Sequence, residues 1–184
     1  MNSETFLEDA HSRAASNKEY METVYNIDNQ VAKIAKEHKI ITDYVVKFNS
    51  SLKNRDKEFF KGIAGFFDFL ANDLRGHFLF EEMVIFPAAI AGKPAYENIL
   101  MVMSLQKDHG VLEENLNALI VQLNDLKINR QKLTTELINQ IKAFFDALKA
   151  HARSEMTDLF PMVDATPESK ALMEKYAAEM NRGE

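Results

Sequence analysis

The sequence contains no cysteine among its 184 residues. This absence excludes disulfides, catalytic thiols, zinc fingers and cysteine-ligated iron–sulfur clusters. Any metal binding or chemistry with a soft nucleophile must therefore use histidine, aspartate or glutamate. The five histidines are the residues whose placement needs an explanation.

A basic excess and a long apolar run are also missing. Lys and Arg number 22 against 28 Asp and Glu, a formal net charge of −6, which offers no electrostatic footprint for nucleic acid or an anionic membrane. The longest uncharged apolar stretch, residues 83–92, contains Pro87 and is far shorter than the roughly 20 residues of a membrane span. The acidic amino terminus does not resemble a signal peptide. We expect a cytoplasmic protein with neither nucleic acid nor membrane as a partner.

Glycine and proline are few, six and four respectively, and they separate segments of helical periodicity. No segment sustains the alternation of a strand. The pattern predicts an all-α fold, an up-down-up-down four-helix bundle with extra terminal helical segments. We divide the chain into a partly helical N-terminal extension (1–25), the bundle (26–163) and a C-terminal amphipathic helix (164–184).

Each of the four long helices carries one histidine on its core stripe: His38, His77, His109 and His151. In such a bundle, two residues on neighbouring helices lie at the same height along the bundle axis when both are equally far in sequence from the connecting turn. The midpoint of their residue numbers then falls on that turn. The successive midpoints are 57.5, 93 and 130, beside or within the turn-like stretches 54–57, 92–94 and 127–131. A single buried histidine is more often a hydrogen-bonded core residue, but three agreeing midpoints predict one layer of four. The fifth, His11, is interpreted as a surface residue.

Two glutamates share the faces of these histidines. Glu81 follows His77 by four residues and Glu155 follows His151 by four, so each pair lies on one helix face, about 6 Å apart along the axis. A buried carboxylate is normally paired or bound to a cation, because burying it alone costs several kcal/mol. No Lys or Arg lies on the inward stripes at this height, so the pattern predicts a metal ion.

The two halves of the bundle repeat this pattern. The segment holding His77, Glu81, Phe86 and Pro87 recurs 74 residues later as His151, Glu155, Phe160 and Pro161, and the lone histidines differ by 71. A two-fold set of four histidines and two glutamates suits two metal ions, each with two histidines, bridged by both carboxylates. Imidazole and carboxylate suit iron, zinc or manganese. Two bridging carboxylates in a helical bundle favour di-iron, with zinc as the alternative.

This ligand pattern resembles the hemerythrin-like (HHE cation-binding) family over about residues 30 to 163. The residues that carry the resemblance are His38, His77, Glu81, Asp108, His109, His151 and Glu155, and the dipeptides Phe86-Pro87 and Phe160-Pro161 look like that family's helix ends. Oxygen-carrying members have a fifth histidine and an aspartate, where this chain has Glu113 and Glu155, which argues against simple oxygen transport. The four-histidine, two-glutamate set is more similar to the repair-of-iron-centres (YtfE-like) proteins. We expect the chain to lack their cysteine-bearing N-terminal domain.

The resemblance implies a non-haem di-iron site with an oxo or hydroxo bridge and one open position per iron. The expected ligand is O2, NO or peroxide, and the expected role is oxidative or nitrosative stress response or iron–sulfur cluster repair. The alternative is a non-enzymatic oxygen, redox or iron sensor. Three further residues lie close in sequence: Glu113 as a possible additional ligand, and Asp73 and Asp108 as candidates to orient an imidazole or relay a proton.

Seven phenylalanines are concentrated on and near the second helix: Phe59, Phe60, Phe66, Phe67, Phe69, Phe78 and Phe80. They cover more than one helix face. We interpret them as core packing plus coverage by a terminal helix, with a homodimer contact as the alternative.

Overall fold

The computed structural model describes residues 27–51, 63, 65–67, 69–129 and 133–182, and confirms the all-α bundle. Helix α1 is Ile27–Ser51 and α3 is Tyr96–Asn129. Helix α2 runs through residues 70–92, and α4 through residues 135–164. The terminal helix α5 is Pro167–Arg182. The proposed N-terminal extension (1–25) lies outside the described residues.

The turns observed agree with the spacing of the histidines where they are described. Helix α2 ends at Gly92, and Lys93 to Ala95 form the turn into α3. This turn contains residue 93, the sequence midpoint between His77 and His109. Helix α3 ends at Asn129 and α4 begins at Thr135, which brackets the midpoint of 130. Thr134 caps α4, its hydroxyl accepting a hydrogen bond from the backbone N–H of Leu137 at 3.1 Å. The first turn, near 57.5, lies outside the described residues.

Helices α2 and α4 each contain a π-helical turn that begins at the glutamate of the repeated His-x3-Glu pair. Helix α2 comprises Leu70–Leu74 (π), Arg75–Phe80 (α), Glu81–Ile85 (π) and Phe86–Gly92 (α). Helix α4 comprises Thr135–Ser154 (α), Glu155–Leu159 (π) and Phe160–Asp164 (α). In each helix a glutamate of the predicted site opens the widened turn.

The interpretation of Phe86-Pro87 and Phe160-Pro161 as helix ends was wrong, because both helices continue past them. A proline inside an α-helix has no N–H to donate, and its ring meets the carbonyl four residues earlier. The widened turn removes that conflict: the N–H of Phe86 bonds to the carbonyl of Glu81, and that of Phe160 to the carbonyl of Glu155. The chain therefore passes each proline without leaving the helix.

The histidines and glutamates divide the apolar interior into two clusters, one on each side of their layer. The first cluster, away from the Lys93 turn, draws on all four long helices, for example Ile41, Leu74, Leu112 and Leu148. The second cluster lies on the side of that turn and includes Ile34, Val84, Leu105, Leu159 and, from α5, Met173. The polar layer thus sits in the middle of the bundle, shielded by apolar side chains at both ends.

Much of the predicted aromatic group is interior. Phe66, Phe67 and Phe78 belong to the first apolar cluster and Phe80 to the second, with Phe69 half-buried against the first. Phe59 and Phe60 lie outside the described residues. Core packing accounts for the described members, and a homodimer contact stays a prediction. In the part of the chain described, no helix is long and apolar enough to cross a membrane.

Helix α5 packs against the end of α2 at a point where only glycine fits. A Cβ placed on Gly92 would lie 2.7 Å from the backbone N and Cα of Ser169 and would also collide with its hydroxyl oxygen. Ser169 is itself fully buried. The close approach of these two backbones fixes α5 over the second apolar cluster.

We expect Gly92→Ala to destabilise the fold by about 1–3 kcal/mol, because neither backbone can give way to the added methyl group. Gly65→Ala is the matched control: Gly65 has open space around its Cα, and alanine there favours the helix by about 0.5–1 kcal/mol. Urea unfolding followed by circular dichroism measures both. Equal shifts in the two variants would contradict the close contact.

Candidate metal centre

The structure brings together the four core histidines and the two glutamates at the centre of the bundle. His38 comes from α1, His109 from α3, and the two His-x3-Glu pairs from α2 and α4. All six side chains are buried, and Glu81 and Glu155 have no exposed surface at all. The α-helical turn between each histidine and its glutamate sets both side chains toward the same interior point.

Their atoms form two overlapping groups of four, each with all four candidate ligand atoms within 4.8 Å of one another. The first, here named the His38–His77 position, consists of those two histidines with Glu81 and Glu155. The second, the His109–His151 position, consists of the other two histidines with the same glutamates. Both carboxylates are therefore shared between the two positions.

The distances within these groups suit metal ligands. His77 Nε2 lies 3.0 Å from Glu81 Oε1, and His38 Nε2 lies 3.1 Å from Glu155 Oε2. In the other position, His151 Nε2 is 2.8 Å and His109 Nε2 is 3.7 Å from Glu155 Oε1. Two ligands each about 2.1 Å from one ion, at octahedral or tetrahedral angles, are separated by roughly 3.0–3.4 Å.

Several of these atoms have no hydrogen-bond partner although they are fully buried. They are Glu81 Oε2, both carboxylate oxygens of Glu155, and the Nε2 atoms of His109 and His151. A buried polar group left unsatisfied costs about 1–3 kcal/mol, and a charged group costs more. Their lone pairs converge without hydrogen-bond geometry, as the donors of a cation site do, so the residues present fit a metal in each position.

The carboxylates of this cluster raise the pKa of two of its histidines. Burial alone would lower the pKa of His77, but the nearby carboxylates Glu81 and Glu37 outweigh burial and raise it to about 10. Burial likewise opposes the charge on His109, yet Glu155 and Glu81 raise its pKa to about 9. Burial would raise the pKa of Glu155, and its close contacts with His109, His151 and His38 instead hold that pKa well below its usual range. The carboxylates that would contact a metal ion thus favour a proton on His77 and on His109.

The outer ring nitrogens of two histidines are held by carboxylates that the sequence did not single out. His77 Nδ1 is 2.7 Å from Glu37 Oε2, and His109 Nδ1 is 2.8 Å from Glu82 Oε1. Such contacts fix the ring orientation and the tautomer of a metal ligand. Glu37 directly precedes His38 just as Asp108 precedes His109, which is the one sequence signal that could have identified it.

Asp73, one of the two residues predicted to orient an imidazole or relay a proton, is half-buried on α2, one turn before His77. The two ring nitrogens of His77 contact Glu37 and Glu81. Asp108, the other predicted residue, has its Oδ2 3.8 Å from His151 Nδ1. The roles of Asp73 and Asp108 stay predictions.

Glu113, predicted as a possible extra ligand, is half-buried and belongs to neither four-atom group among the described residues. His11 lies outside the described residues. The assignment of the six central residues as ligands stays a prediction that the geometry supports.

In a comparison with protein-family models the chain matches the "Hemerythrin HHE cation binding domain" over residues 20–175. This range covers most of the chain and all six central residues. No curated protein and no solved structure matches the chain.

We expect Glu81→Gln and Glu155→Gln each to reduce bound metal from about two ions per chain to fewer than one, because an amide has no charge to offset that of the cations. Metal content of the purified variants measures the change, with circular dichroism to verify the helices. Glu113→Gln is the matched control and should keep the full metal content. Full loading of either bridging variant would refute the shared-carboxylate assignment.

Proposed function

The chain belongs to the hemerythrin HHE cation-binding family, and on that premise we propose that it holds two iron ions and binds or reacts with O2, NO or peroxide. The observation that carries the proposal is the pair of overlapping ligand groups with both carboxylates in common. Two adjacent ions need shared negative charge between them, and Glu81 and Glu155 are the groups that can supply it.

Iron is favoured over other metals by the donors present. The site offers nitrogen and oxygen only, and the chain has no cysteine to supply thiolate. Imidazole with carboxylate suits iron, zinc and manganese, and a carboxylate-bridged pair suits a redox-active metal. Zinc is the alternative occupant, followed by manganese.

Each position has four protein atoms, fewer than a non-haem iron commonly accepts, which leaves space for solvent or a small ligand. Iron, when bound, would supply electron transfer and Lewis acidity there. The protein's part is to hold the ligand atoms in place, to keep bulk water out and to exclude large molecules.

The surroundings of the site favour small molecules over larger ones. The ring of Phe78 stacks on that of His109 with centroids 3.8 Å apart, and Phe86 lies 5.3 Å away from the same imidazole. Apolar clusters close both ends of the layer. Such a lining admits O2, NO or peroxide and gives no binding surface for a bulky polar substrate.

As a cellular role we propose oxidative or nitrosative stress response, or repair of iron–sulfur clusters, in the cytoplasm. The ligand set, similar to that of repair-of-iron-centres proteins, supports this role. A second candidate is an oxygen, redox or iron sensor without turnover. The packing of α5 against the widened turn Glu81–Ile85 supports it, because a change at Glu81 would reach a terminal helix that a partner could read.

The identity of the metal is tested on protein loaded anaerobically with ferrous iron and then exposed to air. We expect about two irons per chain and an oxo-to-iron charge-transfer band in the near ultraviolet. The Glu81→Gln/Glu155→Gln double variant is the control and should show neither. A wild-type protein that retains zinc in preference to iron, or that binds no metal, would contradict the proposal.

Turnover separates the enzyme from the sensor. We expect the iron-loaded protein to consume peroxide or NO faster than the same concentration of free iron, because the site keeps a position open beside each ion. Consumption is followed by electrode with excess reductant, the metal-free protein serving as the blank. Rates equal to those of free iron would leave the sensor as the function.

A further inference from the structure

The two halves of the site are related by an approximate two-fold correspondence. The pair His38 and His77 matches the pair His109 and His151, with ring centroids 5.0 Å apart in the first and 4.7 Å in the second. Residues related by the sequence shifts of 71 and 74 thus also occupy corresponding places in the two halves of the site. Each residue around one half can be compared with its counterpart around the other.

The correspondence holds for the contacts of the lone histidines, His38 and His109. His38 Nε2 lies 3.1 Å from Oε2 of Glu155, and His109 Nε2 lies 3.4 Å from Oε2 of Glu81, so each reaches the glutamate of the opposite half. Each is also flanked by the phenylalanine of the opposite Phe-Pro dipeptide, at 6.3 Å and 5.3 Å between centroids.

His109 is held on both of its remaining sides. Its Nδ1 is 2.8 Å from Oε1 of Glu82, which fixes the rotation of the ring. The ring of Phe78 lies parallel to it, 3.8 Å away and inclined by only 9°. A hydrogen bond and a stacked ring together leave this imidazole a single orientation.

His38 has neither support. The positions that correspond to Glu82 and Phe78, 74 residues later, are Met156 and Ala152. A methionine sulfur is a weak acceptor and an alanine offers no ring. Accordingly, Nδ1 of His38 is buried and has no hydrogen-bond partner, although the residue is only 7% exposed.

Two of the other three histidines have a carboxylate hydrogen-bonded to Nδ1: Glu37 holds His77 and Glu82 holds His109. His151 Nδ1, like His38 Nδ1, has no hydrogen-bond partner. It differs from His38 in that a carboxylate faces it, with Asp108 Oδ2 3.8 Å away. Among the described residues, no carboxylate oxygen lies within 4.0 Å of His38 Nδ1, since its ion pair to Glu155 is made through Nε2.

We propose that His38 is the releasable ligand and that the His38–His77 position is therefore the exchangeable one of the two metal sites. This inference rests on the proposed metal binding, but not on the metal being iron. In the exchange step the bond from the ion to His38 Nε2 breaks and an oxygen or nitrogen of an incoming chelating ligand takes its place, with no change of oxidation state. The His109–His151 position would release its ion more slowly, because the Glu82 contact and the stacked Phe78 ring hold His109 in place.

The test loads the full chain with zinc, which has no redox chemistry, and follows its release to an excess of a colorimetric chelator. We expect two phases of equal amplitude in the wild-type protein. His38→Asn should lack the fast phase and keep the slow one, which assigns the fast phase to the His38–His77 position. A single phase for two bound ions in the wild-type protein would overturn the inference.

Reciprocal substitutions then test the cause. Met156→Glu should slow the fast phase by about 10-fold or more, the lower end of what such carboxylate–histidine contacts contribute to metal affinity. Met156→Gln, an acceptor without charge, should retain part of that slowing. Glu82→Met should accelerate the slow phase until the two phases merge. A fast phase that Met156→Glu leaves unchanged would contradict the proposal.

The matched control is Met103→Glu, which makes the same change at a methionine 60% exposed on α3 and outside both ligand groups. Its release kinetics should equal those of the wild-type protein. If Met103→Glu slowed release as much as Met156→Glu does, added charge rather than the missing hydrogen bond would be the cause. A wild-type chain that binds no zinc and no iron would refute metal binding itself, whereas two ions released at one rate would refute only the unequal positions.

Discussion

Two carboxylates without any exposed surface, Glu81 and Glu155, are the constraint on which the rest of this bundle depends. Burying either carboxylate without a partner has a high free-energy cost. Among the described residues, both form their ion pairs with histidines. The requirement for positive charge explains why each of the four long helices has an imidazole at one core position. It also explains why the apolar interior is divided into two clusters rather than one.

That positive charge can come from two sources. Protons on His77 and His109 can offset part of the carboxylate charge, since nearby carboxylates raise the pKa of both. Metal ions would replace those protons at the same atoms, so that loading exchanges one form of neutralisation for another. The fold itself does not need to rearrange for this, because the ligand atoms already converge.

The part of the site that could be predicted from sequence follows from spacing along single helices. The i, i+4 relation set Glu81 beside His77, and distance from the turns set the histidines level with each other. What could not be predicted depends on how neighbouring helices are rotated about their axes. Sequence spacing does not define that rotation. It brings Glu37 into contact with His77 and places Asp108 near His151.

The widened turns that begin at Glu81 and Glu155 also act on the phase of their helices. A π turn holds about one residue more than an α turn, so the side chains beyond it are rotated by about 100° relative to an uninterrupted helix. One helix can then direct its face to the first apolar cluster before the turn and to the second cluster, under α5, after it. Helices α2 and α4 thus each consist of two segments that differ in phase, and the glutamates lie where the segments meet.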